Sequence, residues 1–277
     1  MSRDYNVSVF NDTLRLCKED CDLVSSINNS KKNEERILSD FILPVETQRF
    51  NKKCDVIVSN KRTLEAASNY KEKRVTVLNF ASFRNPGGGV LNGSSAQEES
   101  LCRISTLYMN LTDEGIFNSF YKPHRNCNSY FYNDDAIYTP SVTVFKSDDS
   151  KMELLDKNKW YSVDVLTIAA PNLRNIYNYD RKELTSILEK RIRRIYSILK
   201  YKKTDIAILG AFGCGAFYNP PEIVSSLFFS ILKEYLFDFE TIEFAIYTSR
   251  SDDRNYLAFK EALKKEKDDI SINRLKE

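Results

Sequence analysis

Three consecutive residues, Gln97-Glu98-Glu99, stand seven positions (Val90 to Ala96) beyond a glycine triplet, Gly87-Gly88-Gly89. Neighbouring carboxylates repel one another, and phosphates held beside them repel both, so a carboxyl there holds its proton closer to neutrality and can donate it. Cleavage of a glycosidic bond needs such a donor. A simpler reading is also open: Ser94 with Gln97, or Ser95 with Glu98, has the spacing of a capping box, and acids suit the first turn of a helix. Consecutive helical residues point about 100° apart, so the two glutamates would do different work, one gripping substrate and one moving a proton.

The chain of 277 residues has only 8 glycines, less than half the usual share of roughly 7%. Four of them (Gly87, Gly88, Gly89, Gly93) fall in one short stretch and three (Gly210, Gly213, Gly215) in another. Glycine lets backbone amides approach an anion without an intervening Cβ, so two such loops suit two phosphates, or one diphosphate held from both sides. Neither loop matches the Walker or dinucleotide fingerprints: there is no GxxxxGK[ST], and the second reads G-x-x-G-x-G.

These loops need elements to carry them. CDVIVSN (54–60), RVTVLNF (74–80), AIYTPSVTVF (136–145), VDVLTIAAP (163–171), DIAILGAF (205–212) and TIEFAIYTS (241–249) read as strands. Several are apolar on both faces, as in a sheet covered on each side. Both glycine clusters follow a strand directly, where ligands bind in such sheets. Helices are expected at TLEAASNYKEK, at SAQEESLCRISTLYMNL as one element, and at RKELTSILEKRIRRIYSILKY with Asp180 as cap and its basic residues as a solvated face. Two more are expected: PEIVSSLFFSILKEYLF, with Asn219 as cap and Pro220 first, and SDDRNYLAFKEALKK. TLRLCKEDCDLV and ERILSDFIL extend the helical reading over residues 1–50, with 51–277 as the main domain. Strands alternating with helices make this an α/β protein.

Lysines and arginines number 41 against 39 acids, so the total charge selects neither nucleic acid nor membrane. The start, MSRDYNVSVFND, has no apolar run, and no stretch of 18 apolar residues occurs; an intracellular protein, cytoplasmic or nuclear, is expected. Six sparse cysteines suggest free thiols. Cys17 with Cys21 on one helix face, and the lone His124 before Cys127, read as structural rather than metal-binding.

The segment NFASFRNPGGGVLNGSSAQEESLCRISTLY resembles the signature of the microbial-type poly(ADP-ribose) glycohydrolases, a branch of the macrodomains. The similarity continues through AIYTPSVTVF, IAAPN (168–172) and LGAFGCGAFYNPP (209–221). It implies a three-layer α/β/α sandwich with a mixed sheet, an N-terminal helical extension, and hydrolysis of the ribose–ribose bond of ADP-ribose polymers. It implies no cofactor or metal. The expected partners are ADP-ribose and poly(ADP-ribose), on proteins or on ADP-ribosylated nucleic acid, met by a monomer away from membranes. A mono-ADP-ribosyl hydrolase and a non-catalytic binding module are the alternatives. Carried over by motif, Glu99 is the acid that protonates the departing ribose oxygen and Glu98 fixes ribose hydroxyls. Gly87, Gly88 and Gly89, with Gly210, Gly213, Cys214, Gly215 and Ala216, line the diphosphate, and Phe217 packs on the distal ribose. Gln97, Phe80 and Ala81 are further expected substrate contacts, as are Asn79 and Asn172, whose places at strand ends suit either a polar contact to ribose or adenine or a turn.

Overall fold

The computed structural model describes residues 2–126, 129–248 and 252–266. Two helices, α1 (Arg3–Glu19) and α2 (Cys21–Lys32), precede a short strand β1 (Glu35–Ile37). Residues 38–54 then carry no helix or strand and lead to β2 (Asp55–Ser59), α3 (Thr63–Ala67) and β3 (Val75–Phe80). After the first glycine loop come α4 (Gln97–Ile104), α5 (Leu107–Leu111), α6 (Glu114–Ile116), a π-turn and α7 (Lys122–Arg125). The chain continues as β4 (Ala136–Val144), β5 (Tyr161–Ile168), α8 (Arg181–Tyr201), β6 (Ile206–Leu209), α9 (Pro221–Leu232), β7 (Thr241–Ala245) and α10 (Arg254–Lys265).

The strands form one seven-stranded mixed sheet in the order β1-β4-β5-β3-β6-β7-β2. The run from β5 to β2 is parallel, whereas β4 is antiparallel to both of its neighbours. All six strands read from the sequence occur; Ser249, which ended the last of them, and Cys127 lie outside the described residues. Side chains alternate across the sheet. Leu78 of β3 faces a core built with α8, α9 and α10, while Val75 and Val77 face a second core built with α1, α4 and α5. Among the described residues no helix is long and apolar enough to cross a membrane.

Four local expectations need correction. ERILSDFIL is not helical: Glu35–Ile37 pairs with β4 at the sheet edge, and the residues after it are irregular. Asp20 stops α1 and caps α2 by accepting from Asp22 N–H and Leu23 N–H, so Cys17 and Cys21 sit on different helices, one buried and one exposed. The long helix expected after the first glycine loop breaks at Ser105. That residue is extended (φ −143°) and bridges to Val144, while Thr106 N–H donates to the Thr143 carbonyl of β4. Sheet hydrogen bonds there replace one helical turn.

The last correction concerns the basic helix. Asp180 caps α8 as expected, yet Arg191 on that helix is only 1% exposed and is ion-paired to Asp134 at 2.9 Å. Its Nη1 and Nη2 donate to the Ala169 and Phe131 carbonyls. A buried guanidinium needs all of these partners, and it ties α8 to the loops at the site end of the sheet.

Candidate active site

A cavity of about 370 Å³ opens at the carboxyl ends of the parallel strands. It lies in the size range of nucleotide and cofactor sites. One wall is the first turn of α4, and the other is the loop that follows β6.

The N-terminus of α4 carries no side-chain cap; Ala96 occupies that position. Neither Ser94 nor Ser95 makes the capping box that their spacing allows. The three side chains that begin the helix reach away from it instead. Gln97 Oε1 accepts from Phe80 N–H at 2.9 Å, and its amide donates to the Leu78 carbonyl at 2.7 Å and to Thr63 Oγ1 at 3.1 Å. With both amide hydrogens committed to the protein, Gln97 braces α4 on the end of β3. It borders the cavity as a strut.

Glu98 is 2% exposed. Its Oε2 accepts from Ser82 N–H at 2.7 Å, and its Oε1 accepts from the Asn79 amide at 3.3 Å. Burial pushes this carboxyl up to about 8, and the neighbouring charge of Glu99 adds to the rise; the Ser82 and Asn79 hydrogen bonds oppose it without cancelling it. Burial thus favours the protonated form of Glu98 in the free protein.

Glu99 differs. It is 7% exposed, its Oε1 accepts from Gly89 N–H at 2.9 Å, and its buried Oε2 has no hydrogen-bond partner. Both glutamates border the cavity, but only Glu99 has an oxygen uncommitted to the protein.

The rise at Glu98 has a consequence for stability. Below about pH 4.5, the ordinary value for this carboxyl, folded and unfolded chains are both protonated there. Between that pH and about 8 the unfolded chain loses a proton that the folded chain keeps. Folding stability therefore falls with rising pH across the window, by up to about 1.4 kcal/mol per pH unit from this group. Glu34, half-buried and pushed up to about 7 by its desolvation, contributes in the same direction. We expect Glu98→Gln to show a shallower decline than wild type in urea unfolding between pH 5 and 8; parallel curves would show that Glu98 titrates normally in the fold.

The glycines divide by role. Gly87 and Gly88 have φ of +66° and +59°, a turn open to glycine at little cost. A Cβ on Gly88 would lie 2.6 Å from Glu99 Oε1 and 3.1 Å from Glu98 Oε2, so its bare face is filled by the carboxylates themselves. Gly87 packs on Tyr108 and Cys102, Gly210 on Phe80 and the Ala245 carbonyl, and Gly213 on Ala170 and Asn219. Only Gly215 has open space on its Cβ side, with nothing within 4 Å; beside it Ala216 and Phe217 complete that wall.

Of the residues expected at the site, Phe80, Gly88, Gln97, Glu98, Glu99, Gly213, Gly215, Ala216 and Phe217 border the cavity. Asn79, Ala81, Gly87, Gly89, Gly210, Cys214 and Asn172 do not. Strand alternation turns fully buried Asn79 toward α4, where it holds Glu98 and Thr167. Ala81 extends the pairing of β3 with β5 through its N–H. Cys214 is in the core, where burial pushes its thiol up. Asn172 bonds the Tyr132 hydroxyl and makes a local turn to Arg174 N–H. Asn219 does not cap α9: Pro220 takes that position, and the Asn219 amide links the Pro171 and Gly213 carbonyls.

Other cavity residues went unread in the sequence. Ser82 supplies an N–H to Glu98. The far end of the cavity is bounded by Lys61 and Arg62 after β2, Tyr247 after β7, Asn255 in α10 and Asp148. The signal was available, since every parallel strand delivers its carboxyl end to the same rim. His124 Nε2 donates to the Asp135 carboxylate at 3.1 Å, and the ring stacks on Phe83. Among the described residues no cluster of three potential metal ligands occurs.

Comparison with known proteins agrees with this geometry. The microbial-type PARG catalytic-domain family, where PARG is poly(ADP-ribose) glycohydrolase, matches residues 11–147. That match spans the first glycine loop and both glutamates. Among solved structures it is similar to PARG from Thermomonospora curvata, at 25% identity and a TM-score of 0.83 over 93% of this chain and 98% of that one. The same bacterial PARG bound to the inhibitor ADP-HPD gives 25% identity and 0.79 over 92% and 98%. PARG from Deinococcus radiodurans in complex with ADP-ribose gives 28% identity and 0.76 over 86% and 97%. No curated protein matches the chain by sequence. The α/β sandwich and its mixed sheet are thus those of the PARG macrodomain-like fold.

Proposed function

We propose that the protein is a poly(ADP-ribose) glycohydrolase that cleaves the ribose–ribose O-glycosidic bond and releases ADP-ribose. The observation that carries this reading is the pair Glu98 and Glu99 at the wall of a cavity flanked by two glycine loops, one glutamate anchored through both oxygens and the other with a free buried oxygen. The diphosphate lies between the loop of Gly88 and the open face of Gly215, the distal ribose against Phe217, and the base toward Tyr247 and Asn255. Glu98 fixes the ribose hydroxyls. Glu99 gives its proton to the departing ribose oxygen as the C1″–O bond breaks with its electrons going to that oxygen. C1″ gains oxocarbenium character, water adds to it, and the water's proton returns to Glu99. A pair of consecutive glutamates cannot flank a sugar ring on opposite faces, so one carboxyl serves as acid and then base.

The raised Glu98 carboxyl favours a second assignment, with Glu98 as the donor and Glu99 as the anchor; the two Glu→Gln variants separate them. The test is release of free ADP-ribose from purified polymer, with and without EDTA. We expect release unchanged by the chelator, because the mechanism uses only a carboxyl proton. Tight ADP-ribose binding without release from polymer would replace the reading with a binding module, and release only from mono-ADP-ribosylated protein would change the substrate.

A further inference from the structure

Glu99 is held in place from the protein side by one hydrogen bond, from Gly89 N–H, so its position depends on the 87–94 loop. Within the loop the Gly89 carbonyl accepts from Asn92 N–H and Ser94 N–H, and Gly93 N–H donates to the Val90 carbonyl. These hydrogen bonds close the loop on itself. Its outer tie is to α1: the Asn6 amide donates to the Gly93 carbonyl at 2.9 Å.

Gly93, at φ +70°, is pressed against the Arg3 backbone so closely that a Cβ would strike the Arg3 carbonyl. On the same helix Thr13 Oγ1 donates to the Arg103 carbonyl at the end of α4, and Arg103 donates to the Ser94 carbonyl. α1 thus grips both partners of the Gly89–Glu99 hydrogen bond, the loop through Asn6 and the helix through Thr13. Asn6 and Thr13 are 2% and 1% exposed, polar members of a helix face otherwise made of Val9, Phe10 and Cys17. A buried polar group on such a face is costly without a partner, and each spends its donor on the catalytic segment. Asn6 also precedes the stretch that matches the PARG family, which begins at residue 11.

We infer that Asn6 is a positioning residue for catalysis: through Gly93 it holds the glycine loop, and so the Gly89 N–H, against Glu99. The inference rests on the glycohydrolase reading. The test is Asn6→Leu, nearly isosteric and unable to donate, compared with Leu23→Ala in α2, which removes packing from a separate core cluster that contains no residue of the loop (Leu23 is fully buried). Measured well below both melting transitions, Asn6→Leu loses about 10- to 100-fold in kcat, as a small misplacement of a catalytic group does, and its Gly88–Ser94 amides exchange faster relative to those of β3. Leu23→Ala, with an equal or larger fall in Tm, keeps wild-type kcat and loop exchange. A folded Asn6→Leu protein with either wild-type kcat or wild-type loop exchange overturns the inference, as does an equal kcat loss in Leu23→Ala. If wild type hydrolyses no polymer, the glycohydrolase reading fails by itself, and unchanged loop exchange in Asn6→Leu would still refute the tether.

Discussion

Glu99→Gln is expected to hydrolyse poly(ADP-ribose) about 100- to 10,000-fold more slowly than wild type, the usual worth of a general acid, while binding ADP-ribose at least as tightly. The amide keeps the side chain's size and an oxygen to accept from Gly89 N–H, so the loop stays in register. What it removes is a transferable proton and any negative charge facing the diphosphate, and relief of like-charge repulsion favours binding. Glu98→Gln should lose less turnover and more affinity, since Glu98 is the anchored member of the pair. The measurement is polymer hydrolysis beside calorimetric ADP-ribose binding on both variants. Near wild-type hydrolysis by Glu99→Gln, with a collapse in Glu98→Gln, would transfer the acid role to Glu98.

Gly88→Val should abolish detectable hydrolysis for a different reason. Its Cβ would be forced to 2.6 Å from Glu99 Oε1 at a backbone φ of +59°, which a β-branched residue rarely adopts. The carboxylates must swing out of their hydrogen bonds or the loop must rearrange; either outcome removes the acid from the reacting oxygen. The rest of the domain is anchored elsewhere, so the variant should fold with a modestly lowered Tm, and circular dichroism with an activity assay checks both points. A folded Gly88→Val protein that retains hydrolysis would show that the loop can be rebuilt without cost to the glutamates.

The glutamates and glycine loops were legible because the sequence concentrates its scarce glycines there and places both loops at strand ends. Five of the six longer strands, all but the antiparallel β4, were legible because buried parallel strands are short continuous apolar runs rich in Val, Ile and Leu. What escaped notice was set by tertiary contact. ERI is three residues long, and only its pairing with β4 makes it a strand. SAQEESLCRISTLYMNL has helical spacing throughout, and the break at Ser105 exists because β4 supplies competing hydrogen bonds. Asn79 was expected at substrate; strand alternation points it at Glu98, and it does not border the cavity. Asn219 looks like a cap in sequence and is a cross-link in space. The Tyr247 end of the cavity had no motif to announce it, being assembled from the ends of β2 and β7, which are remote in sequence and adjacent in the sheet.

That last adjacency also bears on how the chain reaches its fold. Both edges of the sheet, β1 and β2, come from the first sixty residues, yet β1 pairs only with β4 and β2 only with β7. A ribosome emits both edge strands before it emits either partner. The cavity wall carrying Lys61 and Arg62 follows β2 directly and is completed by Tyr247 after β7, so this end of the cavity cannot exist until β7 has been made. Until then β2 is an unpaired strand of the kind that invites association with other chains, and the exposure lasts for the synthesis of almost the entire domain.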